Sequence, residues 1–193
     1  VRKGESMRKT LLTTMVFVLI ASVAVAQTGW VGIFADPAGA SCELSDATPG
    51  LMSVYVVHMA AEATACQFSA PAPNGYMGAT SYLNDTAVFP VTVGTSALGV
   101  SVGYGACLTS PVHALTLNVF AQNAAAQCCE WRVQVDPNVG FLGVVDCNFV
   151  TQPTGHAGTA FWNASGGACE GQCGETPTQE TTWGKVKTLF TTE

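Results

Sequence analysis

The residues of this chain whose types could carry chemistry are its eight cysteines, three histidines and five aspartates. Cys42, Cys66, Cys107, Cys128, Cys129, Cys147, Cys169 and Cys173 all follow an apolar N-terminal run. An even number of cysteines in an exported chain reads as disulfides, because thiols do not persist in an oxidising compartment. Zinc is the rival use. Cys169-Glu-Gly-Gln-Cys173 and the Cys128-Cys129 doublet offer sulfur ligands, but the spacing is only weakly zinc-like and no histidine stands near in sequence, so neither a metal nor a cofactor is assigned.

His58, His113 and His156 share no common spacing. His58 sits inside the apolar run Met52 to Met59, where a hydrogen-bonded core imidazole is expected rather than a base or a ligand. Asp36, Asp46, Asp85, Asp136 and Asp146 are scattered, mostly in or beside turns, where the carboxylate is used for backbone hydrogen bonds rather than for paired acid–base work. EF-hand spacing is absent. Gly94-Thr95-Ser96-Ala97-Leu98-Gly99 lacks the G-x-S-x-G elbow and reads as a hairpin turn. No catalytic residue is therefore assigned. Trp30, Tyr76, Tyr82 and Trp162 are the candidate ligand-binding residues, since exposed rings on a sheet face stack on sugars; core packing accounts for them equally well. Asn84-Asp85-Thr86 and Asn163-Ala164-Ser165 match the glycosylation sequon.

The elements that must position these residues are short and extended. Leu98, Val100, Val102 and Tyr104 alternate with small residues, as do Leu115, Leu117 and Val119 with Thr116 and Asn118, and Phe89, Val91 and Val93 with Pro90 and Thr92. Further strands are predicted at Trp30 to Phe34, Met52 to Met59, Thr64 to Ala70, Cys129 to Val135, Phe141 to Cys147 and Ala157 to Trp162, with turns at Asp36 to Gly39, Pro73 to Gly75 and Asp136 to Asn138. About nine strands in one domain imply an all-β, two-sheet antiparallel sandwich, immunoglobulin-like or jelly-roll-like, with a barrel as runner-up. Met52 to Met59 is apolar at both parities and reads as a central strand. If the five-residue connection 136–140 closes a hairpin, residue 135 faces 141 and Cys129 faces Cys147, which makes Cys129–Cys147 the favoured disulfide and leaves Cys128 for another partner; Cys169 with Cys173 would be a short local loop.

Met7-Arg8-Lys9, the apolar run Leu11 to Ala21 and Ala24-Val25-Ala26 together read as a cleaved leader over residues 1–26. The apolar stretch is shorter than the roughly 20 residues of a spanning helix, so no membrane span is expected after cleavage. The chain then divides into a sandwich over 27–174, a polar linker over 175–182 and a short amphipathic tail over 183–193. In that tail Trp183, Val186 and Phe190 fall on one helical face as docking residues. Cleavage removes Arg2, Lys3, Arg8, Lys9 and Glu5, taking the net charge from −6 to −9 and leaving Arg132, Lys185 and Lys187 as the cations. So acidic a chain repels phosphate backbones, which excludes nucleic acid. The expected protein is secreted: extracellular, periplasmic or at the cell surface.

Gly29-Trp30-Val31-Gly32-Ile33-Phe34-Ala35-Asp36, Val54-Tyr55-Val56-Val57-His58, Gln67-Phe68-Ser69-Ala70-Pro71, Gly99 to Gly105 and the Cys128-Cys129 doublet resemble uncharacterised secreted proteins of environmental bacteria, which carry no function to transfer. More distantly, the strand order resembles cohesin-like and other immunoglobulin-like sandwiches. That resemblance implies an extracellular module binding a protein or a glycan, with a carbohydrate-binding module or a secreted hydrolase assembled from distant residues as alternatives.

Overall fold

The computed structural model describes residues 29–73, 80–123, 125–154 and 158–164, together with Cys169. Tyr76, His156, Cys173, the leader, the linker and the tail residues Trp183, Val186 and Phe190 lie outside the described residues. All twelve elements are strands: β1 (Trp30–Phe34), β2 (Glu43–Leu44), β3 (Gly50–Met59), β4 (Ala63–Phe68), β5 (Thr80–Ala87), β6 (Val91–Thr95), β7 (Gly99–Leu108), β8 (Val112–Ala121), β9 (Cys129–Arg132), β10 (Gly143–Val145), β11 (Thr151–Pro153) and β12 (Thr159–Trp162). Among the described residues no helix is long and apolar enough to cross a membrane.

The chain is an all-β sandwich, as the alternation predicts, built from a four-stranded sheet β1-β3-β8-β5 and a five-stranded sheet β11-β10-β4-β7-β6. A third sheet, β2-β12-β9, was not expected, and its β12–β2 pair is parallel. The core lies between the main sheets. Val54, Val56, Leu115, Leu117 and Val119 face inward from one, and Phe68, Val100, Val102 and Val144 from the other. Apolar side chains at every second position leave water together when one face of each strand is covered, and this burial is what holds the layers. β3 is central, between β1 and β8, which explains its apolar residues at both parities: Val57, on the outer side, is covered by the loop at Gly39.

Three strands escaped the sequence. β2 and β11 are too short to show alternation, and β5, Thr-Ser-Tyr-Leu-Asn-Asp-Thr-Ala, is a polar edge strand with an extra residue, Leu83, between the pairs Tyr82–Val119 and Asn84–Asn118. The hairpin expected between 129–135 and 141–147 fails beyond a single bridge, Asp136–Phe141. Gln134 instead exchanges backbone hydrogen bonds with Ser69 at 2.7 and 2.9 Å, β9 pairs with β12, and β10 is held between β4 and β11. Loop length alone could not choose among these partners.

The favoured disulfide falls with that hairpin. Cys147 is bonded to Cys107, Cα atoms 5.3 Å apart, and Cys129 is a buried free thiol. Cys128 does turn away from Cys129, but its partner is Cys169, so the local Cys169–Cys173 loop is not formed. Cys42 is also disulfide-bonded, while Cys66 is a second buried thiol.

Candidate functional site

Among the described residues the titratable side chains do not converge. His58 is buried on β3 and stacks on Tyr104 of β7 with ring centroids 6.0 Å apart. It is a core residue as expected, but not a hydrogen-bonded one: neither ring nitrogen has a partner, and burial pushes the imidazole down to about 4. Burial likewise pushes the Cys66 thiol up to about 12 and the Cys129 thiol up to about 11, which makes both inert as nucleophiles. His113 pairs with Val57 across β3 and β8, next to His58 in the ladder, yet its side chain leaves by the opposite face.

The aspartates are consumed by the backbone. Asp36 accepts from the N–H groups of Ala38, Ala40 and Ser41, Asp136 from Asn138 N–H and Gln67 Nε2, and Asp146 from Asn148 and Val150 N–H and Gln152 Nε2. Burial alone would raise Asp36 and Asp136, but these donors outweigh it and hold both below the usual carboxylate value. Asp146 is lowered first by Val150 N–H and then by Gln152. Each of the three carboxylates thus ties down its own turn. Asp85 grips Ser96 through both its N–H and its hydroxyl at 2.7 Å, clamping β5 to the β6–β7 turn; that hydroxyl is a structural tie, with no base behind it. Asp46 accepts from Ala125 N–H and Asn163 Nδ2. Glu62 approaches Cys107 and Cys147, but those sulfurs are joined to each other and offer no thiolate. Arg132, the cation among the described residues, pairs with Glu130 on the surface.

Trp30, Tyr82 and Trp162, the candidate aromatics among the described residues, do not share one surface. Trp162 is fully buried and stacked on Trp131, with centroids 6.5 Å apart, so it reaches no ligand. Trp30 packs over Gly32, Gly158 and Phe34 on β1, whereas Tyr82 lies on β5, at the other edge of the same sheet.

What the fold does assemble is the outer face of β3-β8-β5. Ladder pairing sets three rows across it: Leu51, Phe120 and Ser81; Ser53, Asn118 and Asn84; Tyr55, Thr116 and Thr86. Successive rows are about 7 Å apart. The middle row is tied together: Asn118 Nδ2 donates to Asn84 Oδ1 at 2.8 Å and to Thr86 Oγ1 at 2.7 Å, and its Oδ1 accepts from Ser53 at 3.4 Å. At the lower end, β8 carries an extra residue, Ala114, opposite the Val56–Val57 step. This bulge leaves His113 on the outer face, edge-on to Tyr55 at 5.1 Å and 2.9 Å from Thr116 Oγ1. Burial holds His113 below its usual value, against a backbone hydrogen bond at Leu115 that raises it. At the upper end Leu51 (77% exposed) and Leu83 (46%) line a shallow depression of about 510 Å³ with Ser53, Asn84, Thr86 and Asn118, and Phe120 (43%) stands beside Leu51 in the ladder. No Asp, Glu, Lys or Arg side chain stands in the three rows.

Sequence reasoning missed this face because it missed β5. The alternation in β8 does place Thr116 and Asn118 opposite the core residues, but nothing in the sequence pairs them with Asn84 and Thr86. Of the two sequons, Asn84 stands on this open face, while the Asn163 amide is used on both sides, donating to Asp46 and to Ala125 O and accepting from Asp46 N–H.

No family model matches the chain, and no curated protein matches it. Among solved structures, a chain of a crystallised dockerin–cohesin complex is similar at 11% identity and a TM-score of 0.39, covering 70% of this chain and 99% of that one. A likeness that slight assigns neither family nor function.

Proposed function

We propose that this protein is an exported, non-catalytic binding module that engages a protein partner through the outer face of β3-β8-β5. The observation that carries this reading is the composition of the face: free of charge in an acidic chain, with exposed Leu51, Leu83 and Phe120 and half-buried Tyr55 around polar groups already locked to one another. Charge depletion with aromatic enrichment marks the centre of protein interfaces. Rows tied in advance lose little side-chain entropy on binding. Aliphatic Leu51 and Leu83 favour a protein over a sugar, whose rings stack on aromatic planes. Export is supported by the disulfides and the leader-like N-terminal sequence.

The test uses the biotinylated full chain and two variants, Phe120→Asp on the face and Val139→Asp away from it, against fractionated exported proteins of the source and a panel of neutral polysaccharides. Saturable binding to a protein fraction that weakens at least about tenfold in Phe120→Asp and survives in Val139→Asp is the expected result. Binding to a polysaccharide with the same variant pattern would move the ligand class to glycans. Binding indifferent to Phe120, or turnover of either probe, would overturn the reading.

A further inference from the structure

The main sheets have four outer strands, and three are guarded. β1 is covered by β12, with Gly158 N–H donating to Val31 O at 2.9 Å and the two chains crossing at Gly32 and Gly158. β5 is interrupted by its bulge, and β11 is three residues long and ends in Pro153. Bulges, prolines, short length and covering segments are the devices by which sheet edges avoid recruiting another strand. β6 is five residues long and follows Pro90, but within the strand it has neither a bulge nor a proline, and among the described residues no segment covers it. Val-Thr-Val-Gly-Thr pairs regularly with β7 from Val91–Gly103 to Thr95–Gly99, carries no charge, and among the described residues has no strand on its other side. Val91 and Val93 project from one face of it, 57% and 69% exposed, and Leu98 in the adjoining turn is 69% exposed.

From this edge we infer that two copies of the chain associate through antiparallel pairing of β6 with its two-fold mate, joining their five-stranded sheets into one. The partner is a second copy for an electrostatic reason. A two-fold contact sets each patch against itself, so in a chain of net charge −6 it favours a surface without charge, and β6 combines such a surface with an unpaired strand edge. Pairing centred on Val93 sets Val93 against Val93 and Val91 against Thr95, all on one face, so β-branched side chains meet across the junction. The β3-β8-β5 faces belong to the other sheet and stay open, so the dimer would present two of them and gain avidity for a multivalent partner. This inference does not rest on the proposed function, and its test contains no ligand.

Sedimentation velocity of the full chain should show a species of twice the 20.0 kDa monomer. Val93→Lys, which sets two cations face to face, should raise the dissociation constant at least about tenfold at about 0.15 M salt, whereas Val150→Lys should not. Mild oxidation of Val93→Cys should give a disulfide-linked dimer, because two-fold related cross-strand residues lie within disulfide reach; Val150→Cys should not. The cross-link reads out pairing even if Val93→Lys fails to fold. A wild-type chain still monomeric at about 100 μM, or a dimer in which Val93→Cys does not cross-link, would overturn the inference.

Discussion

His58 in the core and Asn118 on the outer face stand in opposite situations. His58 is sealed from water with no partner for either nitrogen, while Asn118 is half-buried at the surface and has its amide bonded on both sides. A histidine suggests chemistry and an asparagine suggests filler, yet the buried imidazole can reach no ligand, whereas the tied amide helps build the floor of a surface that can. Exposure and pairing, which belong to the fold, decide what a side chain does; its chemical type only sets the range.

The largest expected effect breaks the His58 side of this contrast. An unfolded imidazole takes a proton near 6.5 and the folded one resists until about 4, so between those values the unfolded chain binds more protons and stability falls as pH falls. The loss across that window should be about 3 kcal/mol, measured by denaturant unfolding at a series of pH values. His58→Leu should remove most of it, leaving the part due to His113, whose folded value is also lowered by burial. Further acidification, below about 3.8, removes the contributions of Asp36, Asp136 and Asp146, whose folded values are lowered, and that second decline should persist in His58→Leu. A wild-type curve that is flat between 6.5 and 4 would place His58 in contact with water.

The stacked tryptophans sharpen the comparison inside the core. Trp131 Nε1 donates to Ala70 O at 3.2 Å, and Trp162 Nε1 has no partner. Trp131→Phe therefore orphans a buried carbonyl, while Trp162→Phe removes an orphan, and both lose similar ring volume. Trp131→Phe should be the more destabilising by about 1–2 kcal/mol in chemical denaturation. Equal losses would show that ring packing alone sets the cost.

The smallest effect belongs to the face. Asn118→Ala severs the ties to Asn84, Thr86 and Ser53, but water can replace them at an exposed site, so it should cost about 1 kcal/mol or less. Partner affinity should nonetheless fall more than stability does, because the rows would then have to be ordered on binding. Unchanged affinity would show that the ties do not matter to recognition.

Much of the sandwich was legible in the sequence because one-sided burial imposes a period of two. That period placed the cores of β7 and β8, while apolar runs without it located Trp30 to Phe34 to the residue and marked β3 as central. Turn chemistry placed Asp36, Asp136 and Asp146, since a carboxylate beside a turn finds backbone N–H groups within a few residues, whereas Asp46 and Asp85 reach partners that only the fold supplies. β5 left no such trace, because an edge strand with an open outer face and a bulge has no alternation to show, and without β5 the candidate face could not be drawn. Trp162 illustrates the same limit from the other direction: a tryptophan reads alike whether it lies under a sheet or on it.

The sequence by itself determined the all-β architecture, the acidic composition, the hairpin turn at Gly94 to Gly99 and the turn roles of Asp36, Asp136 and Asp146, which follow from composition, local periodicity or contacts a few residues apart. Tertiary structure alone decided that Cys147 joins Cys107 rather than Cys129, that His58 and His113 part to opposite faces of one sheet, and that Ser53, Asn118 and Asn84 form one row. Each of these depends on which strands become neighbours and in what register, and a shift of one residue sends every side chain of a strand to the other face.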